Sequence, residues 1–345
     1  MSGAKPDRWL ISGSIMLRDS FGRILDYLRV SVTDRCNLRC VYCMPPQGVP
    51  WKPHGSMLSF EEILRLCRIM ADLGIRKIKL TGGEPLVRRG MAAFFGSLRA
   101  VPGIEKLSLT TNGLLLGAFL DEAGALPTGV NISLNALNPE RYALITRGAG
   151  PAEVLSNIDR LLEKQIPVKI NSVPIRGFNE EEIIPLALLA RDRNISVRFI
   201  ELMPLGSARN LTPISGDETS SIIEKAFGRL TPFSGIQGSG PAVYYSLSGF
   251  NGKIGFINPV SRGFCETCNR LRLTSEGFLK PCLSSSLFIN LRDPLRSGAS
   301  GTELSRLIRE AADKKPQFHT LSPVYGELPA EAERLHSAGM SGIGG

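Results

Sequence analysis

Six short stretches rich in β-forming residues recur along the chain, and helical patterns lie between them. The stretches cover residues 27–33, 76–83, 106–112, 129–136, 167–174 and 196–202. Strands that alternate with helices at this spacing form βαβ units, whose strands are parallel. Six units are fewer than the eight that close a full barrel. The sequence therefore predicts an α/β fold built on an incomplete, TIM-like (βα)6 barrel.

Capping residues mark where several of the helices begin and end. Ser59 is followed three residues later by Glu62, which predicts a capping box at the start of a helix. Gly74 suits the end of that helix, because glycine readily adopts the left-handed conformation of a helix C-terminus. Asn179, followed by three glutamates, is a candidate N-cap for a later helix.

The pattern changes beyond residue 203, where loop-like segments predominate. Residues 252–260 and 269–282 are expected to form strands or a hairpin, and residues 302–315 an amphipathic helix. We therefore predict two parts. Residues 1–230 form the partial barrel, and residues 231–345 form a smaller C-terminal module.

Composition restricts the compartment and the partners. The chain of 345 residues has seven cysteines, no apolar run long enough to span a membrane, and no secretory pattern at its N-terminus. These features predict a cytoplasmic protein whose cysteines serve metal chemistry and not disulfides. The net charge of +9 favours a polyanionic partner, although the basic residues are spread along the chain.

A cysteine triplet follows the first predicted strand, at the barrel edge where catalytic residues collect. Cys36, Cys40 and Cys43 are separated by three residues and then by two, with Tyr42 before the last. Partial zinc sites and buried thiols are the alternatives. Three thiolates would instead leave one iron of a [4Fe-4S] cluster open to another ligand. We favour such a cluster.

A second triplet, Cys265, Cys268 and Cys282, also has no fourth cysteine beside it. A zinc knuckle completed by a distant ligand is the alternative, but the three histidines lie far away in the sequence. We predict a second [4Fe-4S] cluster, whose open iron could hold a substrate. Cys67 lies on the apolar stripe of a predicted helix and is expected to be structural.

Two arginines stand between the cysteines of the second triplet. Arg270 and Arg272 are two residues apart, so in a strand they share a face. On an exposed strand they could simply be solvated. Beside a cluster, their planar groups instead suit the oxygens of a phosphate, and we predict an anion site.

The first triplet, together with "GGEP" at residues 82–85, resembles the motifs of the radical S-adenosylmethionine (SAM) superfamily. That resemblance implies that the amino and carboxylate groups of SAM fill the open iron. It also implies reductive cleavage of SAM to a 5′-deoxyadenosyl radical, which the protein orients and shields from water.

A closer resemblance covers nearly the whole chain. The segments "LTTNG", "NISLNAL", "RFIELMPLG", "GFCETCNRLRLTSEGFLKPCL" and the terminal "MSGIGG" resemble the GTP 3′,8-cyclase family of molybdenum cofactor biosynthesis. The resemblance implies a lyase that removes a hydrogen atom from ribose C3′ and joins C3′ to guanine C8. The implied product is (8S)-3′,8-cyclo-7,8-dihydroguanosine 5′-triphosphate.

The same resemblance implies a role for individual residues. Cys36, Cys40 and Cys43 would hold the SAM cluster, and the second triplet would hold a cluster that binds guanine. The implied SAM contacts are Tyr42, Gly83, Ser133 and Met203. The implied GTP contacts are Arg29, Lys79, Thr110, Lys169, Arg270, Leu271 and Arg272. The implied catalytic residues are Arg270, Arg272 and the tail residues Gly344 and Gly345.

Two positions depart from the family pattern. Lys79 stands where arginine is expected, which keeps the charge but loses the planar fork. Asn135 stands where aspartate is usual. The GTP contact implied for Lys79 therefore departs from the one that the family's arginine would make.

The implied partners are GTP, SAM, a flavodoxin- or ferredoxin-like electron donor, and cyclic pyranopterin monophosphate synthase, which takes the product. We expect no nucleic-acid or membrane partner, and a monomer or homodimer. The alternatives are another radical SAM enzyme with an auxiliary cluster, a zinc-containing nucleic-acid-binding protein, and a cluster carrier. The first usually has more C-terminal cysteines, and the second would bind nucleic acid in a salt-dependent way.

Overall fold

The computed structural model describes residues 10–11, 14–50, 52–235 and 238–321. The strands in chain order are β1 (Leu10–Ile11), β2 (Ser14–Ile15), β3 (Tyr27–Ser31), β4 (Lys77–Thr81), β5 (Lys106–Thr111), β6 (Val130–Ser133), β7 (Val168–Ser172), β8 (Ser196–Ile200), β9 (Thr231–Phe233), β10 (Val243–Ser246), β11 (Lys253–Ile257), β12 (Arg270–Leu273), β13 (Phe278–Lys280) and β14 (Ile289–Asn290). The helices are α1 (Phe60–Asp72), α2 (Met91–Arg99), α3 (Leu116–Glu122), α4 (Pro139–Thr146), α5 (Pro151–Glu163), α6 (Ile183–Asp192), α7 (Gly216–Phe227), α8 (Arg292–Arg296) and α9 (Gly301–Asp313).

The six predicted barrel strands form the centre of one sheet, in chain order from β3 to β8, and every neighbouring pair is parallel. One or two helices connect each strand to the next. The prediction of an incomplete α/β barrel is therefore confirmed. The parallel arrangement places the carboxyl ends of all six strands at one edge of the sheet.

Strands from the C-terminal part extend this sheet on both sides. β12 pairs in parallel with β3, and β11 pairs in parallel with β8. The resulting order of twelve strands is β14-β13-β12-β3-β4-β5-β6-β7-β8-β11-β10-β9. The expected β12–β13 hairpin and late helix α9 are also confirmed. The second cysteine triplet thus lies next to the first strand of the barrel.

The predicted capping box is present at the start of α1. The Ser59 hydroxyl accepts a hydrogen bond from the Glu62 N–H at 3.1 Å, and the Glu62 carboxylate accepts one from the Ser59 N–H at 2.7 Å. Gly74 follows the helix with φ of 102°, as expected. The predicted cap at Asn179 is wrong, because its side chain makes no capping hydrogen bond. Its amide donates instead to the carbonyls of Asn135 and Val173.

The core lies between the sheet and its helices. Cys67 on α1 is fully buried there, with the neighbouring apolar residues of the same helix face, which agrees with its predicted structural role. No helix in the described ranges has the length and apolar character needed to cross a membrane.

Candidate active site

A cavity of about 750 Å³ is lined by residues along the parallel strands and by the loops at their carboxyl ends. Both cysteine triplets line it. The predicted site residues around it are Cys36, Cys40, Tyr42, Cys43, Gly83, Ser133, Met203, Arg29, Lys79, Thr110, Lys169, Cys265, Cys268, Arg270, Arg272 and Cys282. Residues that are distant in the sequence thus share one compartment.

Three predicted residues differ from this group. The side chain of Leu271 is fully buried in the hydrophobic core, so a GTP contact at this position can come only from its backbone. Gly344 and Gly345 lie outside the described residues. The role predicted for the tail therefore stays a prediction.

The first triplet lies on a tight loop after β3. The N–H groups of Cys43 and Met44 both donate to the carbonyl of Cys40, at 2.9 and 3.1 Å. The loop is anchored to the end of α4, where the Val41 N–H donates to the carbonyl of Ile145. A backbone N–H, that of Leu38, also points at the Cys36 sulfur at 3.4 Å. The loop therefore presents its thiols from a hydrogen-bonded backbone.

The glycines of "GGEP" allow β4 to approach this loop closely. The Gly83 N–H donates to the carbonyl of Thr33 at 2.8 Å. A Cβ atom at Gly83 would lie 2.3 Å from the carbonyl oxygen of Arg35, which no side chain could tolerate. Gly83 therefore has a packing role in addition to the SAM contact predicted for it.

The thiols of the first triplet lie in a low-dielectric environment. Burial, and then the charge of neighbouring thiolates, raises the pKa of Cys40 to about 12 and raises the pKa of Cys43 as well. The hydroxyl of Tyr142, nearby on α4, is buried and has no hydrogen-bond partner within the described residues. Buried thiolates need a compensating positive charge, and the Tyr142 hydroxyl beside them is an unused hydrogen-bond donor. Both features fit an iron–sulfur cluster.

The Tyr42 hydroxyl is held by Asn135, which is 2% exposed. The Asn135 amide oxygen accepts the N–H of Val173 at 2.9 Å, so its NH₂ group faces Tyr42 and donates to the phenol oxygen at 3.0 Å. A backbone N–H can only donate, so its partner must be the amide oxygen, and this determines the orientation of the Asn135 amide. Asparagine at position 135, where the family pattern has aspartate, therefore uses both its amide oxygen and its NH₂ group in hydrogen bonds.

The second triplet comes from two segments that flank β12 and β13. Cys265 and Cys268 form a turn in which the Cys268 N–H donates to the carbonyl of Cys265 at 3.1 Å, and Cys282 follows β13. His319 is distant in the sequence, yet its backbone N–H lies 3.3 Å from the Cys265 sulfur. Among the described residues, no three His, Cys, Asp or Glu side chains converge closely enough to hold one ion. A cluster does not require this, because each cysteine binds a different iron.

The electrostatic surroundings of the second triplet differ from those of the first. Burial raises the pKa of Cys268, but the charges of Arg270 and Lys315 outweigh it and bring the pKa to about 7. The guanidinium of Arg270 lies 3.9 Å from the Cys268 sulfur. Cations thus favour the thiolate form at this position, which suits binding of iron.

Basic side chains from neighbouring strands line the wall of the cavity. Arg29 is paired in register with Lys79 on one side and with Arg272 on the other. Burial and the charges of nearby arginines lower the pKa of Lys79 well below its usual value. The same causes lower the pKa of Lys169 to about 8. So many buried cations repel one another, and a polyanion would relieve that repulsion.

Thr110 adds a polar atom to this basic wall. Its hydroxyl oxygen is buried and has no hydrogen-bond partner within the described residues. An unsatisfied buried hydroxyl is costly, by about 1–3 kcal/mol. A polar ligand in the cavity would supply the missing partner, which agrees with the GTP contact predicted for this residue.

Glu84 and Arg198 also line the cavity, and neither was predicted as a site residue, although Glu84 belongs to the motif "GGEP". Glu84 is 1% exposed, and its carboxylate accepts hydrogen bonds from Leu86, Thr111 and Asn112. Burial, opposed by these bonds, raises the pKa of Glu84 to about 7. Arg198 on β8 is 4% exposed and donates to the Asn171 side chain at 2.8 Å. A charged residue inside the apolar strand "SVRFI" was the available signal for Arg198.

The arrangement can therefore hold two thiolate-bound clusters and a polyanionic substrate in one compartment. It places carboxylate, hydroxyl and guanidinium groups on the strands and on the loops that follow them, whose positions are determined by the sheet.

Two families match successive parts of the chain. Residues 30–190 match the radical SAM superfamily, and residues 195–321 match the family described as Molybdenum Cofactor Synthesis C. The first match contains the first triplet, and the second contains the other triplet.

Curated proteins match over most of their length. The GTP 3′,8-cyclase of Pelotomaculum thermopropionicum is 47% identical over 310 residues, which cover 88% of this chain and 95% of that protein. The GTP 3′,8-cyclase of Heliobacterium modesticaldum is 46% identical over 333 residues, covering 95% of this chain and 99% of that protein. Its counterpart in Clostridium perfringens is 43% identical over 304 residues.

Solved structures agree on the fold. Streptococcus suis SuiB bound to S-adenosylmethionine superposes with a TM-score of 0.58 at 14% identity, covering 88% of this chain and 78% of that one. SuiB bound to its precursor peptide SuiA gives a TM-score of 0.56 at 15% identity, covering 75% of this chain and 59% of that one. At such low identity the likeness concerns the fold alone.

Proposed function

The chain belongs to the GTP 3′,8-cyclase family, and on this premise we propose the reaction that its cavity supports. The protein is a radical SAM enzyme that converts GTP to (8S)-3′,8-cyclo-7,8-dihydroguanosine 5′-triphosphate in molybdenum cofactor biosynthesis. The observation that carries the proposal is the shared cavity, in which both cysteine triplets and the basic strand residues meet.

Cys36, Cys40 and Cys43 hold the first [4Fe-4S] cluster. When bound, this cluster supplies the electron that cleaves SAM and yields the 5′-deoxyadenosyl radical. Residues at the strand ends keep SAM in place and exclude water around it. In this proposal they are Tyr42, Gly83, Ser133 and Met203, together with Glu84.

Cys265, Cys268 and Cys282 would hold a second [4Fe-4S] cluster, whose open iron would bind the guanine base. Support comes from their free thiols, their shared cavity and the cations beside them. The triphosphate lies against Arg29, Lys79, Lys169, Arg270 and Arg272, with Arg198 as a further contact. Binding at both ends would hold the ribose C3′–H in one orientation, which is a large part of catalysis between two reactants.

The remaining partners are proposals of the same kind. The electron comes from a flavodoxin- or ferredoxin-like donor, and the product passes to cyclic pyranopterin monophosphate synthase. Because the proposed ring closure adds C3′ to the C8=N7 double bond of guanine without hydrolysis, we assign the enzyme to the lyases.

The test is an anaerobic incubation of the reconstituted protein with SAM, a reductant and GTP deuterated at C3′, followed by mass spectrometry. We expect 5′-deoxyadenosine that carries deuterium, and an isomer of GTP in equal amount. Cys265→Ala should abolish the GTP isomer while cleavage of SAM persists.

Cys67→Ala is the matched control, because it removes a thiol that lies in the core and outside the cavity. It should leave both products unchanged. Unlabelled 5′-deoxyadenosine, formed at a rate that ignores GTP, would refute the proposed substrate.

A further inference from the structure

A lysine that follows α9 is buried beside the second triplet, in the wall of the same cavity. Lys315 is 3% exposed, and its ammonium donates to the carbonyl of Arg270 at 2.9 Å and to that of Pro281 at 2.7 Å. Burying a lysine is costly unless its charge is compensated. The compensation here comes from two backbone carbonyls, each within two residues of a cysteine of the triplet.

These contacts tie together the two segments that carry the cysteines. Arg270 lies two residues after Cys268, and Pro281 immediately precedes Cys282. β12 and β13 separate the segments, and one ammonium links them through its two hydrogen bonds.

Arg23 holds the chain that follows Lys315 against Cys265, the remaining cysteine of the triplet. The Arg23 guanidinium donates to the carbonyls of Cys265 and Pro316, both at 2.7 Å, and is also paired with the buried carboxylate of Asp19. The backbone N–H of His319 then reaches the Cys265 sulfur. Both cysteine segments, with all three cysteines, are therefore anchored to residues 315–319.

The charge of Lys315 also acts on the sulfurs. Each added electron makes a thiolate-bound cluster more negative, so a buried cation beside it favours the reduced state. Lys314 provides the contrast, because it is exposed and its ammonium pairs with Glu310 at 2.6 Å. Neighbouring lysines thus differ in whether their charge faces the triplet.

We propose that Lys315 is a positioning residue for the second cluster, which it holds in its three-cysteine site and whose reduction potential its charge raises. The inference rests on the proposed function, since it requires that this cluster exists. It assigns to Lys315 no contact with GTP or with SAM.

The test compares Lys315→Met and Lys315→Gln with the control Lys314→Met, each as the anaerobically reconstituted full chain. Reduction is followed by redox-titrated electron paramagnetic resonance. The signals of the two clusters are distinguished by repeating each titration in a Cys36→Ala, Cys40→Ala, Cys43→Ala background. Retention of iron is measured against a chelator.

We expect both neutral variants to lower the midpoint potential of the second cluster and to leave that of the first unchanged. Retention of the second cluster should fall on the order of tenfold in Lys315→Met, as for other residues that support metal ligands. Lys315→Gln keeps a donor group, the side-chain NH₂, and should retain the cluster better. The midpoint potential can then be measured in this variant even if the methionine variant does not assemble. Lys314→Met should match the parent chain.

An unchanged midpoint potential in Lys315→Gln, with the second cluster present, would overturn the inference while leaving the proposed function intact. A parent chain that holds only the first cluster would refute the proposed second cluster itself, and the inference with it.

Discussion

At the scale of single residues, the cations of the cavity differ in how firmly they keep their charge. Arginine stays protonated under all ordinary conditions, whereas a buried lysine loses its proton readily. Lys169, whose pKa is lowered to about 8 by burial and by Arg198, is charged below that pH and increasingly neutral above it. Lysines in this wall therefore make the binding of an anion dependent on pH.

We predict that GTP binding weakens as the pH rises through about 8, by up to about tenfold per pH unit for each lysine that must regain its proton. The complex favours the charged lysine, so binding above this pH takes up protons. Calorimetry in two buffers of different ionisation enthalpy measures that uptake. Lys169→Arg should move the decline to higher pH, and an identical decline in this variant would contradict the assignment.

A second prediction concerns Asn135. Asn135→Asp keeps the acceptor for the Val173 N–H and lets the Tyr42 hydroxyl reverse its role and donate, so the urea midpoint should change little. Asn135→Leu removes the acceptor and leaves a buried N–H unsatisfied, at a cost of about 1–3 kcal/mol. Urea unfolding of both variants under anaerobic conditions measures the two changes in stability. Equal losses in the two would mean that the Asn135 NH₂ group, and not its oxygen, is the important partner.

At the scale of elements, β12 has one face in the core and one in the cavity. Leu271 is fully buried among apolar side chains, while Arg270 and Arg272 both line the cavity. The period of two in a strand makes this separation unavoidable once one face is buried. Substitutions at adjacent positions on β12 should therefore have different effects, on stability at one position and on GTP binding at the next.

We predict that Leu271→Ala lowers the free energy of unfolding by about 2–5 kcal/mol, because it leaves a cavity in the core. Arg272→Ala should instead weaken GTP binding by about ten- to a hundredfold, which is the effect of losing a charge-assisted hydrogen bond. Urea unfolding and calorimetry of the two variants provide the comparison. A loss of GTP affinity in Leu271→Ala at temperatures where it is fully folded would contradict this division.

At the scale of the whole molecule, the sheet joins the two predicted parts of the chain. β11 and β12, both beyond residue 230, cover the edges of β8 and β3. The division at residue 230 stays a prediction. The pairing shows that a chain ending there would leave two long barrel strands with open edges.

A chain that ends at residue 230 should therefore aggregate, since unpaired edge strands associate with other chains. Size-exclusion chromatography with light scattering measures this. A chain that ends at residue 321 is the control, because it keeps all the described strands, and it should elute as the full-length protein does. A monodisperse 1–230 fragment would show that the edge strands are dispensable for folding.

Local patterns in the sequence were sufficient to predict the barrel. Alternating strand and helix signals predicted the six parallel strands, and Ser59 with Glu62 predicted a capping box that is present. Asn179 failed as a predicted cap, because a buried amide can satisfy distant carbonyls as well as a helix end. Hydrogen-bonding potential is visible in a sequence, but the choice of partner is not.

The sequence by itself determined the parallel α/β fold, the two cysteine triplets and the basic residues within the strands, because each depends on spacing along the chain. Only the tertiary structure placed β12 beside β3, and so brought the triplets into one cavity. It also placed Lys315 and Arg23 beside the second triplet and Arg198 in the cavity wall. These contacts join residues that are far apart in the sequence, and they form only when the sheet brings those residues together.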